Sequence, residues 1–252
     1  MSADGYNVIG VRIAPLRFAA AVEAILGRAI AGERGYVCCG TAHGLVEAQS
    51  NPELQRAYNA AWLTTPDGMP LVWLGPPGVE RVYGPDLMLA ACDRGRALGC
   101  RHLVFGGREG VAAELTTRLR ARFPGLQLEV APTPPMGALD DLDPQPLAAA
   151  VRHVRPHLIW IGLGSPKQEL FMARHWTAVD QGLMIGVGAA LDFHSGRVRQ
   201  APRWIRGSGF EWLYRFLQEP RRLGWRYLRG NPLFLAHVLA QKTRLRKYGM
   251  RE

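Results

Sequence analysis

The chain of 252 residues lacks the long apolar runs and the cysteine spacing of several protein classes. No stretch reaches the ~18 uncharged apolar residues of a membrane-spanning helix. Asp4, Arg12 and Arg17 interrupt the first residues, where a signal peptide has a basic start and a continuous apolar segment, so we expect no leader and a cytoplasmic chain. The 4 cysteines show neither a disulfide framework nor zinc-ligand spacing, and we expect buried thiols.

Composition and charge divide the chain into two parts. With 48% hydrophobic and 21% charged residues it can bury a sizeable core, which excludes disorder. Residues 197–252 hold 14 Lys and Arg against 3 Glu, whereas residues 1–196 hold 17 against 18 acidic residues. We therefore predict a near-neutral body over 1–196 and a basic, aromatic appendage over 197–252. Such an appendage is expected to meet phosphate groups, nucleic acid or an acidic membrane surface.

The body alternates short apolar runs with amphipathic stretches, which is typical of the α/β class. We predict a Rossmann-like, mostly parallel sheet flanked by helices, followed by a helical appendage, with ligands at the carboxyl ends of the strands. Expected strands are Tyr36–Cys39, Ala61–Thr64, His102–Phe105, Gln127–Val130, His157–Ile161 and Leu183–Val187. Expected helices lie near 15–31, 52–60, 68–74, 85–98, 109–123, 144–155 and 166–176. The five prolines of 131–146 predict a surface loop.

Polar side chains follow two of these strands. TTPDGMP places Asp67 at a strand end, where its carboxylate could act as a general base or could cap the next helix. CGTAH places Thr41 and His43 at the end of the preceding strand. Their side chains could face the same crevice as Asp67, or they could have a local structural role only.

Two glycine-rich turns follow later strands. IGLGSPKQE could present backbone amides and a helix N-terminus to an anion, through Gly164, Ser165 and Lys167, with Gln168 in the first helical turn. IGVGAALDFHSG allows close backbone approach at its glycines, including Gly188, and offers Asp192 as an acceptor for a sugar or base. An ordinary tight turn explains either segment equally well.

Asp141 and Asp143 form an Asp-x-Asp pair, a spacing with which many nucleotide-sugar enzymes hold a divalent metal. Capping of the helix after Pro144 explains the pair fully, and no other cluster of His, Cys or carboxylates has metal-ligand spacing. We therefore expect no metal and no cofactor, and a metal-dependent transferase is kept as an alternative.

The appendage interleaves arginines with aromatic residues near helical spacing. Guanidinium groups match diphosphate geometry, and aromatic rings favour the membrane interface, so an anionic ligand or a membrane surface is the favoured partner. A solvated basic helix pair and a nucleic-acid-binding protein are the alternatives, but the body offers no module that reads nucleic acid. The arginines are Arg215, Arg221, Arg222, Arg226 and Arg229.

Six segments, taken in this order, resemble the WecG/TagA/CpsF glycosyltransferase family (glycosyltransferase family 26) over nearly the whole chain. They are Thr41 with the helix after it, PDGMP, RVYGPDL from Arg81 to Leu87, GLGSPKQE, GVGAALDFHSG, and APRWIRGSGFEWLYRFLQEPRRLGWRYL.

The resemblance implies transfer of a hexose or N-acetylhexosamine-type sugar from a UDP-sugar to a polyprenyl-diphosphate-linked sugar. The transfer inverts the anomeric centre, needs no metal, and serves cell-surface polysaccharide synthesis on the inner face of the plasma membrane, to which the chain is peripherally bound. It implies no nucleic-acid partner. It does not decide whether the chain forms a homo-oligomer.

The resemblance also assigns residues. The family's proposed base falls on Asp67, and Thr41 matches a polar pocket position. His43 stands where the family commonly has Asn. Gln168 matches the pocket glutamine, and Asp192 lies in the nucleotide-side motif. Appendage arginines close over the diphosphate and dock on the membrane, which matches Arg215, Arg221, Arg222 and Arg226.

Overall fold

The computed structural model describes residues 5–134 and 137–251, and at Arg222 and Arg226 the backbone alone. Within these ranges six parallel strands form one sheet, in the order β4-β3-β8-β7-β5-β6. This confirms the predicted α/β class and all six expected strands. The strands are β3 (Gly35–Gly40), β4 (Leu63–Pro66), β5 (Arg101–Gly106), β6 (Gln127–Val130), β7 (Leu158–Gly162) and β8 (Leu183–Gly186).

Helices cover both faces of the sheet, and each predicted helical region of the body contains one. The helices of the body are α1 (Phe18–Ile30), α2 (Ala42–Ser50), α3 (Pro52–Ala60), α4 (Met69–Leu74), α5 (Gly84–Gly95), α6 (Val111–Arg122), α7 (Gln145–Val154), α8 (Lys167–His175) and α9 (Ala190–His194). Short 3-10 turns follow α5 at Arg96–Leu98 and α8 at Trp176–Ala178. The expected loop is also confirmed, because the described residues between β6 and α7 form neither helix nor strand.

Two elements before β3 were not predicted. Tyr6–Val8 (β1) and Val11–Ile13 (β2) form a small antiparallel hairpin around Ile9 and Gly10, at the N-terminal end of the described chain. Each strand has three residues, too few for an alternating pattern to be recognised in the sequence.

Side chains of the central strands alternate between two core layers, one on each face of the sheet. In β7, Ile159 and Ile161 pack into the layer that contains Leu45 and Phe171. Their neighbours Leu158 and Trp160 pack into the opposite layer. Because both faces are covered, these strands are apolar without interruption, which is why their sequences show no polar alternation. The four cysteines are buried free thiols, as expected.

The appendage contains α10 (Arg203–Ser208), α11 (Glu211–Gln218) and α12 (Pro220–Lys242). The second half of α12 is part of the body's packing, since Phe234 and Val238 belong to the same core layer as Leu45. Beyond α12, the carbonyl of Gly249 accepts a hydrogen bond from Gln55 Nε2 at 3.1 Å. The domain boundary after residue 196 remains a prediction, and α12 is not separate from the body's core.

Candidate active site

A cavity with a volume of about 520 Å³ lies at the carboxyl edge of the sheet. Five residues that line this cavity come just after different strands of the sheet: Thr41 follows β3, Asp67 follows β4, Arg108 follows β5, Gly164 follows β7 and Gly188 follows β8. From the centre of the sheet, β3 to β4 runs outward in one direction and β5 to β6 in the other. A cavity at such a reversal of strand order is the usual ligand site of an open parallel sheet.

Eight of the twelve residues predicted for the site line this cavity. Their roles in binding and catalysis remain predictions, but the sheet and the appendage bring them to one place. They are Thr41, Asp67, Gly164, Lys167, Gln168, Gly188, Asp192 and Arg215.

Asp67 lies directly beyond β4, with its backbone fixed by the neighbouring strand. Its N–H donates to the carbonyl of Gly40 at 3.0 Å. Its Oδ2 accepts a hydrogen bond of 2.9 Å from the N–H of Gly84, the first residue of α5. The carboxylate therefore does not cap α4, whose capping residue is Gly68 and which has no side-chain cap. The helix that Asp67 contacts is α5, which begins 17 residues later.

Burial makes the Asp67 carboxylate a stronger base than an ordinary aspartate. Burial raises the pKa of Asp67, the Arg81 guanidinium and the Gly84 N–H lower it, and Glu211 raises it again, so that the pKa lies above its usual value. The nearest guanidinium nitrogen of Arg81 is 3.5 Å from Asp67 Oδ1. A raised pKa brings a carboxylate nearer to the operating pH, where general-base catalysis is most effective.

Arg81, Tyr83 and Glu211 form a polar cluster beside Asp67 to which sequence reasoning gave no role. Arg81 Nη1 is 2.7 Å from Glu211 Oε2, and the Tyr83 hydroxyl donates to Glu211 Oε1 at 2.6 Å. The guanidinium lies 4.0 Å from the centre of the Tyr83 ring. The available signals were the RVYGPDL segment and a carboxylate at the start of a basic helix. The two segments are 128 residues apart, so only the fold brings them together.

Gln168 is held in one orientation at the floor of the cavity. Its Oε1 accepts from the N–H of Gly188 at 3.0 Å, and its Nε2 donates to Glu169 Oε1 at 3.0 Å. A Cβ at Gly186 would lie 2.7 Å from Met172 Cε and 3.1 Å from Gln168 Nε2, so a side chain here would have to displace Met172 and disturb the Gln168 amide. Both polar atoms of the Gln168 amide are therefore paired, which fixes its orientation in the cavity lining.

The turn after β7 leads into the N-terminus of α8 at the cavity. Gly164 has φ +77°, a left-handed conformation that favours glycine. The dipole of α8 favours an anion at this end of the helix, although the Gln168 amide already donates to the carbonyl of Gly164 at 2.8 Å. Lys167 Nζ donates to the carbonyl of Gly137 at 2.6 Å, which connects the start of α8 to the proline-rich loop.

Arg215 contributes a positive charge to the cavity from α11. Its guanidinium carbon is 5.5 Å from the centre of the Phe193 ring, and its charge lowers the pKa of Asp67. The cavity thus has a carboxylate from the body and a guanidinium from the appendage. Thr41 also caps α2, its Oγ1 accepting from the Gly44 N–H at 3.1 Å, so the local structural interpretation of Thr41 is confirmed.

Among the described residues, two of those predicted, His43 and Arg221, do not line the cavity. His43 lies in the first turn of α2, where its Nε2 is 3.3 Å from Glu47 Oε1 and its Nδ1 is close to Gly230 of α12. The helix begins immediately after Thr41, and its rotation carries His43 away from the cavity. Arg221 is exposed in the first turn of α12, and the side chains of Arg222 and Arg226 lie outside the described residues.

The two aspartates of the proline-rich loop are exposed and serve the local backbone. Asp141 Oδ2 accepts from the Ala138 N–H at 3.1 Å, and Asp143 Oδ1 accepts from the N–H of Gln145, the first residue of α7, at 2.9 Å. Within the described ranges, no three His, Cys, Asp or Glu side chains are grouped as they would be to hold a metal ion. Metal independence remains a prediction.

The model of the glycosyl transferase WecG/TagA/CpsF family matches residues 6–248. The chain belongs to this family. Among its relatives is the N-acetylglucosaminyldiphosphoundecaprenol N-acetyl-beta-D-mannosaminyltransferase of Bacillus spizizenii. The two are 29% identical over 199 residues, which cover 77% of this chain and 74% of the relative. The cavity is accordingly the candidate active site of a glycosyltransferase. In the described part of this glycosyltransferase, no helix has both the length and the apolar character needed to cross a membrane.

Proposed function

We propose that this glycosyltransferase transfers a hexose or N-acetylhexosamine-type sugar from a UDP-sugar to a polyprenyl-diphosphate-linked sugar, with inversion and without a metal, in cell-surface polysaccharide synthesis. The name of the Bacillus relative describes an N-acetylmannosaminyl group and an undecaprenyl-diphosphate-linked N-acetylglucosamine, which supports this substrate class. Family membership favours a transferase over a nucleic-acid-binding protein.

The observation that carries the proposal is the pairing of Asp67 with Arg215 in one cavity. Inverting transfer needs a base on one side of the sugar and stabilisation of the departing diphosphate on the other. Asp67 is largely buried and its pKa is raised, as suits a base. Arg215 and the N-terminus of α8 offer positive charge without a metal.

In the proposed step, a hydroxyl oxygen of the acceptor sugar attacks the anomeric carbon of the donor. The bond between that carbon and the diphosphate oxygen breaks, and UDP leaves with the bonding electrons. The hydroxyl proton passes to the Asp67 carboxylate. Charge accumulates on the diphosphate, where Arg215 and the positive end of the α8 dipole stabilise it.

Asp67→Asn tests the role of the base. We expect UDP binding to change little, because the amide keeps nearly the same volume, while kcat falls by about 10²- to 10⁴-fold, the usual contribution of a general base. Purified protein is incubated with a panel of UDP-sugars and a short-chain prenyl-diphosphate-linked N-acetylglucosamine. Each UDP-sugar is tested in a separate reaction, so the reaction that yields product of the expected mass identifies the donor, and NMR of that product identifies its anomeric stereochemistry.

Asp93→Asn is the matched control, since Asp93 is exposed on α5 and pairs with Arg96 at the opposite edge of the sheet. Full transfer by Asp67→Asn would remove Asp67 as the base. A retained anomeric configuration, or product from no UDP-sugar in the panel, would contradict the proposed reaction.

A second proposal concerns the membrane. An exposed apolar stripe runs along α12, with Trp225 74% and Leu228 68% exposed, and continues through Leu235 and Leu239 at helical spacing. Trp204 on α10 is 78% exposed. Aromatic and basic residues together favour the headgroup region of an anionic bilayer, where each basic residue near the surface contributes ~1 kcal/mol. We therefore propose that the appendage holds the enzyme peripherally on the inner face of the plasma membrane.

A further inference from the structure

Two acidic side chains from distant segments share one guanidinium beside the cavity. Arg81 Nη2 is 3.5 Å from Asp67 Oδ1, and Arg81 Nη1 is 2.7 Å from Glu211 Oε2. All three side chains are largely buried, with exposed fractions of 16% for Arg81, 13% for Asp67 and 10% for Glu211. The closer contact is to Glu211, which belongs to the appendage.

Further hydrogen bonds fix this arrangement. The Tyr83 hydroxyl donates to the other oxygen of Glu211, and Arg81 Nη1 also donates to the carbonyl of Arg206 at 2.8 Å. Arg81 Nε donates to the backbone carbonyl of Asp67. The guanidinium is thus held between the end of β4 and the helices α10 and α11, and it cannot turn fully to the Asp67 carboxylate without releasing Glu211.

We propose that Glu211 is a positioning residue for glycosyl transfer, which holds Arg81 away from the Asp67 carboxylate and fixes α11 over the cavity. This inference rests on the proposed function of Asp67. Glu211 and Arg215 are four residues apart in α11, so they lie on the same side of the helix. The contact of Glu211 with Arg81 and Tyr83 therefore also directs Arg215 toward the cavity.

The charge of Glu211 raises the pKa of Asp67, so removing that charge should lower it. The ionisable groups that act on Asp67 are Arg81 from the body, and Glu211 and Arg215 from the appendage. Tyr83 and the Cys39 thiol are coupled to the Asp67 charge and remain neutral, because burial raises their pKa values. Neutralising Glu211 removes a like charge and frees Arg81 to pair with Asp67, and both changes lower the pKa of Asp67.

Glu211→Gln tests this directly, because the amide keeps the size of the side chain and removes its charge. In protein labelled with ¹³C-aspartate, the carboxyl signal of Asp67 is assigned by its absence in Asp67→Asn and then titrated. We expect its midpoint to move to lower pH in Glu211→Gln. The acidic limb of kcat/KM should move the same way, with a lower plateau, since a weaker base accepts the proton less readily.

Asp86→Asn is the matched control. Asp86 of α5 is 2.7 Å from Arg206 Nη1, so this ion pair also joins the appendage to the body, and it is absent from the groups that shift Asp67. If Glu211 only attached the appendage, both variants would raise KM and neither would move the titration. An unchanged or raised midpoint in Glu211→Gln, or an equal shift in Asp86→Asn, overturns the inference.

A double variant keeps the proposal testable if Glu211→Gln does not fold, which a thermal melt will show. Arg81→Met with Glu211→Gln removes both charges. Because Arg81 affects Asp67 more strongly than Glu211 does, the Asp67 midpoint should rise above that of the parent protein. An unchanged or lowered Asp67 midpoint would contradict the assigned effects, in which Arg81 lowers the pKa of Asp67 more than Glu211 raises it. An inactive Asp67→Asn with no shift in Glu211→Gln defeats only this inference, whereas a fully active Asp67→Asn defeats the proposed function.

Discussion

His102 in the centre of the sheet should make the enzyme's stability fall with acidification. The residue lies in β5, is fully buried, and stacks at 6.0 Å on the Trp160 ring of β7. Its Nδ1 accepts a hydrogen bond of 3.1 Å from Trp160 Nε1. An imidazolium has no acceptor nitrogen, so protonation would break this bond and leave two donors facing each other.

The magnitude follows from the difference between the folded and unfolded pKa values. Burial, with the charge of His157 as a smaller cause, lowers the pKa of His102 to about 4. Since the folded pKa lies below the unfolded one, the contribution to stability is complete above about pH 6.5 and is lost as the pH falls toward 4. Linkage then gives a loss of about 2 kcal/mol by pH 5 and about 3 kcal/mol at pH 4.

Urea unfolding followed by tryptophan fluorescence between pH 7.5 and pH 5, at intervals of about half a unit, measures this loss. The comparison is with His102→Gln, whose amide oxygen can still accept from Trp160 but does not titrate. The variant will be less stable at neutral pH, and the informative quantity is the slope. The parent protein should lose about 2 kcal/mol more than His102→Gln over this interval.

His153→Gln serves as the control, because His153 is exposed on α7 and its loss should leave the slope unchanged. Parallel pH dependences for the parent protein and His102→Gln would refute the reasoning. They would mean that the imidazole is charged in the folded sheet or that water reaches it.

Two further predictions concern the metal and the membrane. Transfer should survive excess chelator. The double variant of Asp141→Asn and Asp143→Asn should also retain activity, because both carboxylates accept hydrogen bonds from local backbone amides. Loss of activity in both assays would support the metal-dependent alternative. Replacing both Trp204 and Trp225 by Ala should weaken binding to vesicles containing anionic lipid at least about tenfold, as measured by co-sedimentation. Leu98→Ala, which alters an exposed apolar residue at the other edge of the sheet, should bind as the parent protein does, and equal losses in both would contradict a specific docking face.

The sheet could be predicted because its strands are buried on both faces. An uninterrupted run such as Leu158–Gly162, bounded by turn residues, has few other structures available to it. The hairpin of β1 and β2 gave no comparable pattern, because its strands are short. The course of α12 was also unpredictable from local sequence, since the packing of Phe234 and Val238 depends on the position of α2 and not on the composition of the appendage.

Much of the cavity could be predicted for a geometric reason. The carboxyl ends of parallel strands meet at one edge, so residues just beyond β3, β4, β7 and β8 had to approach one another. Thr41 and Asp67 are such residues. His43 is only two positions beyond Thr41, but α2 has already begun there, and a helix rotates by about 100° per residue. The direction in which α2 turns the side chain, rather than the residue type, decided that His43 does not reach the cavity.

The surroundings of Asp67, the proposed base, could not be predicted from either part of the chain alone. The body supplies Asp67 and Arg81, while α11 supplies Glu211 and Arg215, so the two parts contribute one carboxylate and one guanidinium each. In a body without α11, Asp67 would be the remaining acid beside Arg81, and the pKa of Asp67 would fall. On the proposed roles of these residues, loss of the appendage is expected to weaken transfer in two separable ways: Arg215 would no longer meet the leaving diphosphate, and Arg81 would pair with Asp67.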